Sequence, residues 1–211
     1  PSFIKLGQAL STRSDLIGEE VASDLSQLQD HLAPFPASYA KAAIEKELEG
    51  KLEDLFKEFE NQPLAAASIA QVHLAITNEG KEVAVKVLRP GIETAFKKDI
   101  ELFFWIAELI EYTHPDLRRL KPVEVIRKFQ ETTQVEMDLR LEAAAAEEME
   151  MNFAGDPTFT VPSVDWRRTA RRVLTLARVH GVPIDERELL IKQGFDPNDI
   201  VARAATALFK Q

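Results

Sequence analysis

A valine-rich hairpin set into an otherwise helical chain most constrains the fold. Between Pro63 and Pro90 the sequence turns rich in Val, Ile and Ala, and Asn78-Glu79-Gly80 supplies a turn in its middle. This predicts one strand over Ala70–Thr77 and a second over Glu82–Leu88. The second strand carries Val83-Ala84-Val85-Lys86, a lysine inside an apolar run. Burying an ammonium is costly unless it is paired. Lys86 is therefore either a lysine that snorkels from the strand to solvent or one held by a carboxylate for use.

The flanks read as helix. Apolar residues Leu6, Leu10, Ile17, Val21, Leu25 and Leu28 recur at helical spacing and predict a helix over residues 3–31. Pro34 and Pro36 break it, and residues 39–59 form a second charged, amphipathic stretch with Ser38 as its expected N-cap. After the hairpin, periodicity predicts a helix over 92–112, a break at His114-Pro115-Asp116, and one long helix over 122–151 opened by Pro122. Strand-like runs follow at 160–164 and 173–179, and helix returns from Asn198. The expected fold class is α+β.

Composition narrows the function. The formal charge is −9, with no cysteine in 211 residues. A nucleic-acid partner is disfavoured because such proteins carry a basic face. Thiolate chemistry, disulfides and Cys-ligated zinc are excluded. The most apolar stretch, residues 100–110, is interrupted by Glu101 and Glu108 and is shorter than a membrane-spanning helix needs. No signal peptide is visible, and the expected location is the cytoplasm or its membrane surface. The first residue is Pro1 and the last residues still read as helix, so both ends look cut from a longer protein.

Upstream of Lys86 stands Ala65-Ala66-Ala67-Ser68-Ile69-Ala70-Gln71-Val72. A kinase phosphate loop reads G-x-G-x-x-G-x-V and leads into the strand that bears the phosphate-holding lysine. Here Ala65, Ala67 and Ala70 occupy the glycine positions, and Val72 takes the valine position that packs on adenine. Alanine resists the positive φ and close backbone approach that glycine permits, so a stiffer loop with altered nucleotide preference is expected. Further on, Glu136, Asp138 and Glu142 give the predicted long helix an acidic face, with Asp138 and Glu142 four residues apart. A kinase sets a helix glutamate against its strand lysine, which makes Glu142 the candidate partner of Lys86. On charge alone, a solvated acidic face explains the same residues.

These residues resemble the UbiB/ADCK-type atypical kinases linked to ubiquinone biosynthesis. Lys5-Leu6-Gly7-Gln8 matches that family's K-x-G-Q motif, Ala65–Ser68 its alanine-rich loop, Glu136-Met137-Asp138 its E-x-D motif, and Val83–Lys86 supplies the shared lysine. The resemblance implies a kinase-like N-lobe, a small antiparallel sheet plus an αC-type helix, with the C-lobe largely absent. It implies a helical K-x-G-Q extension over residues 1–60, the N-lobe over 61–180 with an inserted helix at 92–113, and the hinge with the start of the C-lobe over 181–211. Lys86 and Glu142 would be the catalytic pair. Ala65, Ala66, Ala67, Ser68, Val72, Ala84 and Lys86 would line the nucleotide site. Lys5, Gly7 and Gln8 would cover that site, with Glu136 and Asp138 bound to the extension, to Lys5 especially.

The implied cofactors are ATP and Mg, with the metal ligands expected beyond residue 211. The implied partners are a nucleotide and quinone-pathway proteins or lipids, with membrane contact through a missing C-terminal region. The sequence departs from the family at Ala177-Arg178, where similar proteins carry Met-Glu ahead of the hinge. It also lacks a catalytic-loop Asp and a DFG-type Asp. His114-Pro115-Asp116-Leu117 imitates a catalytic loop but precedes the long helix and reads as loop and cap. Gly194-Phe195-Asp196 reads as a turn. His31, His73 and His180 have no metal-ligand spacing and read as structural, so no metal site is expected. Two functions remain open: the nucleotide half of an atypical kinase or ATPase, and a non-catalytic pseudokinase-like scaffold for a lipid or protein partner.

Overall fold

The computed structural model describes residues 2–26, 33–184 and 186–210. The expectations for Leu28 and His31 lie outside these residues. The hairpin forms where the sequence places it: the strands Ala70–Thr77 (β3) and Glu82–Leu88 (β4) pair antiparallel. Gly80 takes φ 83° at the turn, a conformation that favours glycine. The short strands Phe56–Phe59 (β1) and Ala65–Ala66 (β2) both pair with β3, and Val173–Ala177 (β5) pairs with β4. The sheet is antiparallel throughout, in the order β1-β3-β4-β5 with β2 also on β3.

Strand alternation sorts the side chains onto two faces. Val83, Val85 and Val87 point to one face and are buried with Ala40 and Ile44 of the helix Ala37–Glu47 (α4) and with Phe56. Ala84, Lys86 and Leu88 point to the other. There Leu88 and Leu174 join a second core built by Ile92–Thr113 (α6), Pro122–Glu136 (α7) and Leu139–Asn152 (α8). In α6, Ile92, Phe96, Ile100, Phe103 and Ala107 form the buried stripe of an amphipathic helix. Among the described residues, no helix is long and apolar enough to cross a membrane.

Several elements differ from the sequence reading. The helix expected over 3–31 is Ser2–Ser11 (α1), Ser14–Ile17 (α2) and Glu19–Ser26 (α3). The Ser11 and Thr12 hydroxyls donate back to the carbonyls of Gln8 and Ala9, and Gly18 sits at φ 84°, so the backbone is diverted twice. Residues 39–59 are not one helix. Glu49 adopts φ 51°, α4 has already ended, and after Leu52–Leu55 (α5) the chain becomes β1. The residue capping α4 is Pro36, and Ser38 lies inside the helix.

The long helix expected over 122–151 breaks between α7 and α8, where Met137 is buried and Asp138 begins the second helix. Residues 160–164 form no strand and make a single bridge, Val164 to Leu176. Pro162 within that run has no N–H to give a ladder. The helix Arg187–Lys192 (α9) precedes the expected terminal helix, which spans Pro197–Lys210 (α10).

His73 is structural, as read. It is fully buried, stacked on Phe59 at 4.8 Å, and bonded to Gln71 and to the Glu60 carbonyl. Burial pushes its pKa below the ordinary histidine value, so it sits neutral.

Candidate nucleotide site

The site grows from the open part of the sheet. Register places Val72 and Leu174 on either side of Lys86, and Leu74 and Leu176 on either side of Ala84. Val72, Ala84, Lys86 and Leu176 are half-exposed, so an apolar floor with one ammonium beside it faces outward from a buried core. The Lys86 ammonium donates to both carboxylate oxygens of Glu142, at 2.9 and 2.8 Å. Glu142 is held in the first turn of α8. The pair is partly open, with side-chain exposures of 30% and 47%. A pair this exposed adds at most about 1 kcal/mol to stability. Its consequence is placement: a cation is held at a fixed point over an apolar strand face.

The helix α8 is positioned by several contacts. Its first backbone N–H, from Leu139, donates to the Arg171 carbonyl at 2.9 Å. Asp138 is its N-cap and accepts from the Arg140 N–H. The Trp166 indole N–H donates to Glu147 at 3.1 Å. Asp138 therefore does not share a helix face with Glu142. Nor does it bind the extension: its carboxylate takes two bonds from the Arg140 guanidinium, at 2.8 and 2.6 Å. That guanidinium and the capping N–H hold the Asp138 carboxyl below the usual carboxylate range. Of the two acids expected to bind the extension, Glu136 meets it, 3.0 Å from Lys5. Lys5 and Gln8 line a hollow of about 370 Å³ between α1 and α7, and Gly7 is buried. The extension docks on α6 through Phe3, whose ring meets Phe103 edge-on at 4.8 Å.

The alanine loop closes onto β3. Ala65 and Ala66 pair with Val72 and Gln71, and the Ala67 N–H bonds the Ala70 carbonyl at 2.8 Å. Ser68 is buried. Among the described residues, the non-glycine positions at positive φ are Glu49 and Lys121, neither of them in this loop. The loop therefore needs no glycine conformation, which is why alanine serves here.

Two residues went unrecognised in the sequence. Arg89 donates through Nε and Nη2 to the Ala67 carbonyl, at 3.0 and 2.9 Å. Gln71, fully buried, accepts from the Phe35 N–H at 3.0 Å and donates to the Phe35 carbonyl at 3.2 Å. The available signal was a polar residue inside or just past each apolar strand. At the far end of β5 the Ala177 and Arg178 N–H groups are taken up by the carbonyls of Ser163 and Glu82. Among the described residues, no group of three or more His, Asp or Glu side chains is placed to hold a metal.

A five-stranded antiparallel sheet, a helix glutamate on a strand lysine and a small-residue loop above it together make a protein-kinase-like N-terminal lobe. Residues 27–211 match the family described as ABC1 atypical kinase-like domain, and the chain belongs to that family. It is 41% identical, over its whole length, to a probable protein kinase UbiB of Marinobacter nauticus, and 42% identical to that of Pseudomonas paraeruginosa. It spans 39% and 40% of the length of those relatives. It is also similar to a solved structure of Rv3197 from Mycobacterium tuberculosis in complex with erythromycin. That likeness has TM-score 0.59 and 32% identity, and it covers 90% of this chain and 46% of the other.

Proposed function

We propose that this chain is the ATP-binding lobe of an atypical kinase or ATPase that supports quinone-lipid synthesis. The observation that carries the reading is the Lys86–Glu142 pair beside the half-open floor of Val72, Ala84 and Leu176. That floor fits the face of a purine, and the ammonium lies where the α- and β-phosphates of a nucleotide in that position would come. The alanine loop of Ala65, Ala66, Ala67 and Ser68 closes the phosphate end. The Ala177 and Arg178 N–H groups are already bonded to the Ser163 and Glu82 carbonyls, so the adenine edge meets backbone beyond residue 178.

Lys86 orients the phosphates and offsets their charge, and Glu142 keeps Lys86 extended toward them. Lys5 and Glu136 tie the helical extension to α7, next to the segment that starts α8. Among the described residues no group of three or more His, Asp or Glu side chains gathers, so no step is assigned here to the Mg that the kinase-like family implies. The quinone-pathway role rests on kinship with the UbiB proteins, and quinone-pathway proteins or lipids are the partners it brings.

The test is nucleotide binding by the full-length protein, followed with a fluorescent ATP analogue and by thermal shift. Lys86→Ala should abolish binding while lowering the melting temperature by no more than about 4 °C, because the ion pair is partly open to solvent. If the wild-type protein is folded and neither nucleotide binding nor a thermal shift is seen, the lobe is a non-catalytic scaffold.

A further inference from the structure

Arg89 stands where three pieces of chain meet. Its Nε and Nη2 converge on the Ala67 carbonyl, at the turn of the alanine loop, and its backbone N–H donates to the Ile69 carbonyl at 2.8 Å. Its third nitrogen, Nη1, donates to the Ala33 carbonyl at 3.1 Å, and the guanidinium lies over the Phe35 ring, 5.6 Å from its centroid. Arg172 holds Arg89 in turn, donating to its carbonyl at 3.0 Å. Residues 33–36 are the stretch that opens into α4. The fully buried Gln71 amide fixes the same stretch from the other side, bonding both backbone groups of Phe35. One planar side chain thus joins the phosphate-end loop to the stretch that leads into α4, the helix packed on the sheet.

The chemistry suits arginine and not lysine. Three fixed N–H directions serve two carbonyls from one plane, whereas an ammonium is a point charge on a flexible stem. Burial lowers the Arg89 pKa, and among the described residues no carboxylate raises it back, yet the group stays charged. The charge is therefore spent on carbonyls and an aromatic face.

We propose that Arg89 is a positioning residue that clamps the alanine loop to residues 33–36, so that loop placement over the nucleotide follows the placement of the stretch that opens α4. The proposal rests on the nucleotide-lobe reading above for its effect on ATP, but not for the clamp itself.

The experiment uses the full-length protein with Arg89→Ala and Arg89→Lys, and with Lys86→Ala as the control. Amide hydrogen exchange is read at residues 64–70 and, within 33–36, at the Ala33 and Phe35 amides, together with affinity for the fluorescent ATP analogue and the KM and kcat of ATP hydrolysis. Both Arg89 variants should accelerate exchange in the two segments together and raise the Kd and KM for ATP about tenfold or more, with kcat at saturation nearly unchanged. A merely destabilised protein would lose active fraction, and so apparent kcat, at constant KM. Arg89→Lys keeps the charge and gives a reading even where Arg89→Ala fails to fold. If Arg89→Lys matches wild type, or if the loop loosens while residues 33–36 do not, the clamp is refuted. If both segments loosen but Lys86→Ala leaves ATP affinity intact, the nucleotide reading fails and the clamp stands.

Discussion

Replacing Asp138 tests how α8, and with it Glu142, is held. The carboxylate does two things: it accepts from the Arg140 N–H as N-cap, and it pairs with the Arg140 guanidinium. Loss of an N-cap costs about 1 kcal/mol. The Arg140 side chain is 59% exposed, so that ion pair adds only about 0.2–1 kcal/mol. Asp138→Ala should therefore destabilise by about 1–2 kcal/mol, a fall of roughly 2–8 °C in melting temperature for a chain of this size. Asp138→Asn keeps a capping oxygen and should recover the larger part.

The same carboxyl gives a pH signature. Its pKa is depressed in the folded state, so its contribution is complete above the unfolded value of about 3.9 and disappears as pH falls through the folded value. The gap between wild type and Asp138→Ala, measured by urea denaturation, should be full at pH 7 and shrink below pH ~4 as the carboxyl protonates. Hydrogen exchange at residues 140–142 should rise in the Ala variant, because the frayed turn is the one that carries Glu142. An Asp138→Ala protein within about 0.5 kcal/mol of wild type, the scatter of ordinary surface changes, would refute the capping argument. So would an Asn variant as unstable as the Ala variant.

Other outcomes follow from the buried polar groups. Gln71→Leu leaves the Phe35 backbone groups and the His73 ring without their partner and should cost about 2–4 kcal/mol by urea denaturation, although leucine is apolar and similar in size. His73 is buried neutral with a depressed pKa, so the unfolded chain takes up its proton first. Wild-type stability should fall as pH drops below ~6.5, and His73→Gln should flatten that part of the profile. Arg168 is 4% exposed and bonds Glu79, Asp165 and the Leu55 carbonyl, so Arg168→Met should cost about 2–4 kcal/mol and loosen β1 in hydrogen exchange.

What was legible in the sequence was what local pattern determines. The hairpin boundaries, the turn at Gly80 and the terminal helix follow from strand alternation, turn chemistry and helical spacing. The structure pairs Lys86 with Glu142 and Lys5 with Glu136; a half-buried ammonium needs a carboxylate, the kinase-like pattern names Glu142 for the first, and the family resemblance names Glu136 for the second. The misreadings sit where tertiary contacts outweigh local preference. Phe56–Phe59 has the charged, mixed composition of its helical neighbours, yet it becomes a strand because the edge of β3 offers a ladder and Phe56 a buried place. Arg89 and Gln71 stood out only as polar residues at apolar strands, and their roles could not be read because the Ala67, Ala33 and Phe35 groups they bond are backbone carbonyls and an N–H, which leave no trace in residue type.

The break between Glu136 and Asp138 shows how a small error in an element changes a chemical conclusion. Read as one helix, residues 122–151 put Asp138 and Glu142 on a shared face, where both could serve the cations Lys5 and Lys86. The chain instead stops α7 at Glu136, buries Met137, and restarts with Asp138 as a cap. The three acids then separate by role. Glu136 ends one helix and takes Lys5, Asp138 starts the next and takes Arg140, and Glu142, one turn in, is left for Lys86. The extension and the strand lysine are thus served by different helices that meet at one buried methionine. One route by which a displacement of α1 reaches Glu142 is that joint, beside the shared core of α6 and α8, so stiffening or loosening residue 137 should change how strongly Lys5→Ala affects ATP affinity. A double-mutant cycle of Lys5→Ala with Met137→Ala in the full-length protein measures this, and strict additivity would show that the joint transmits nothing.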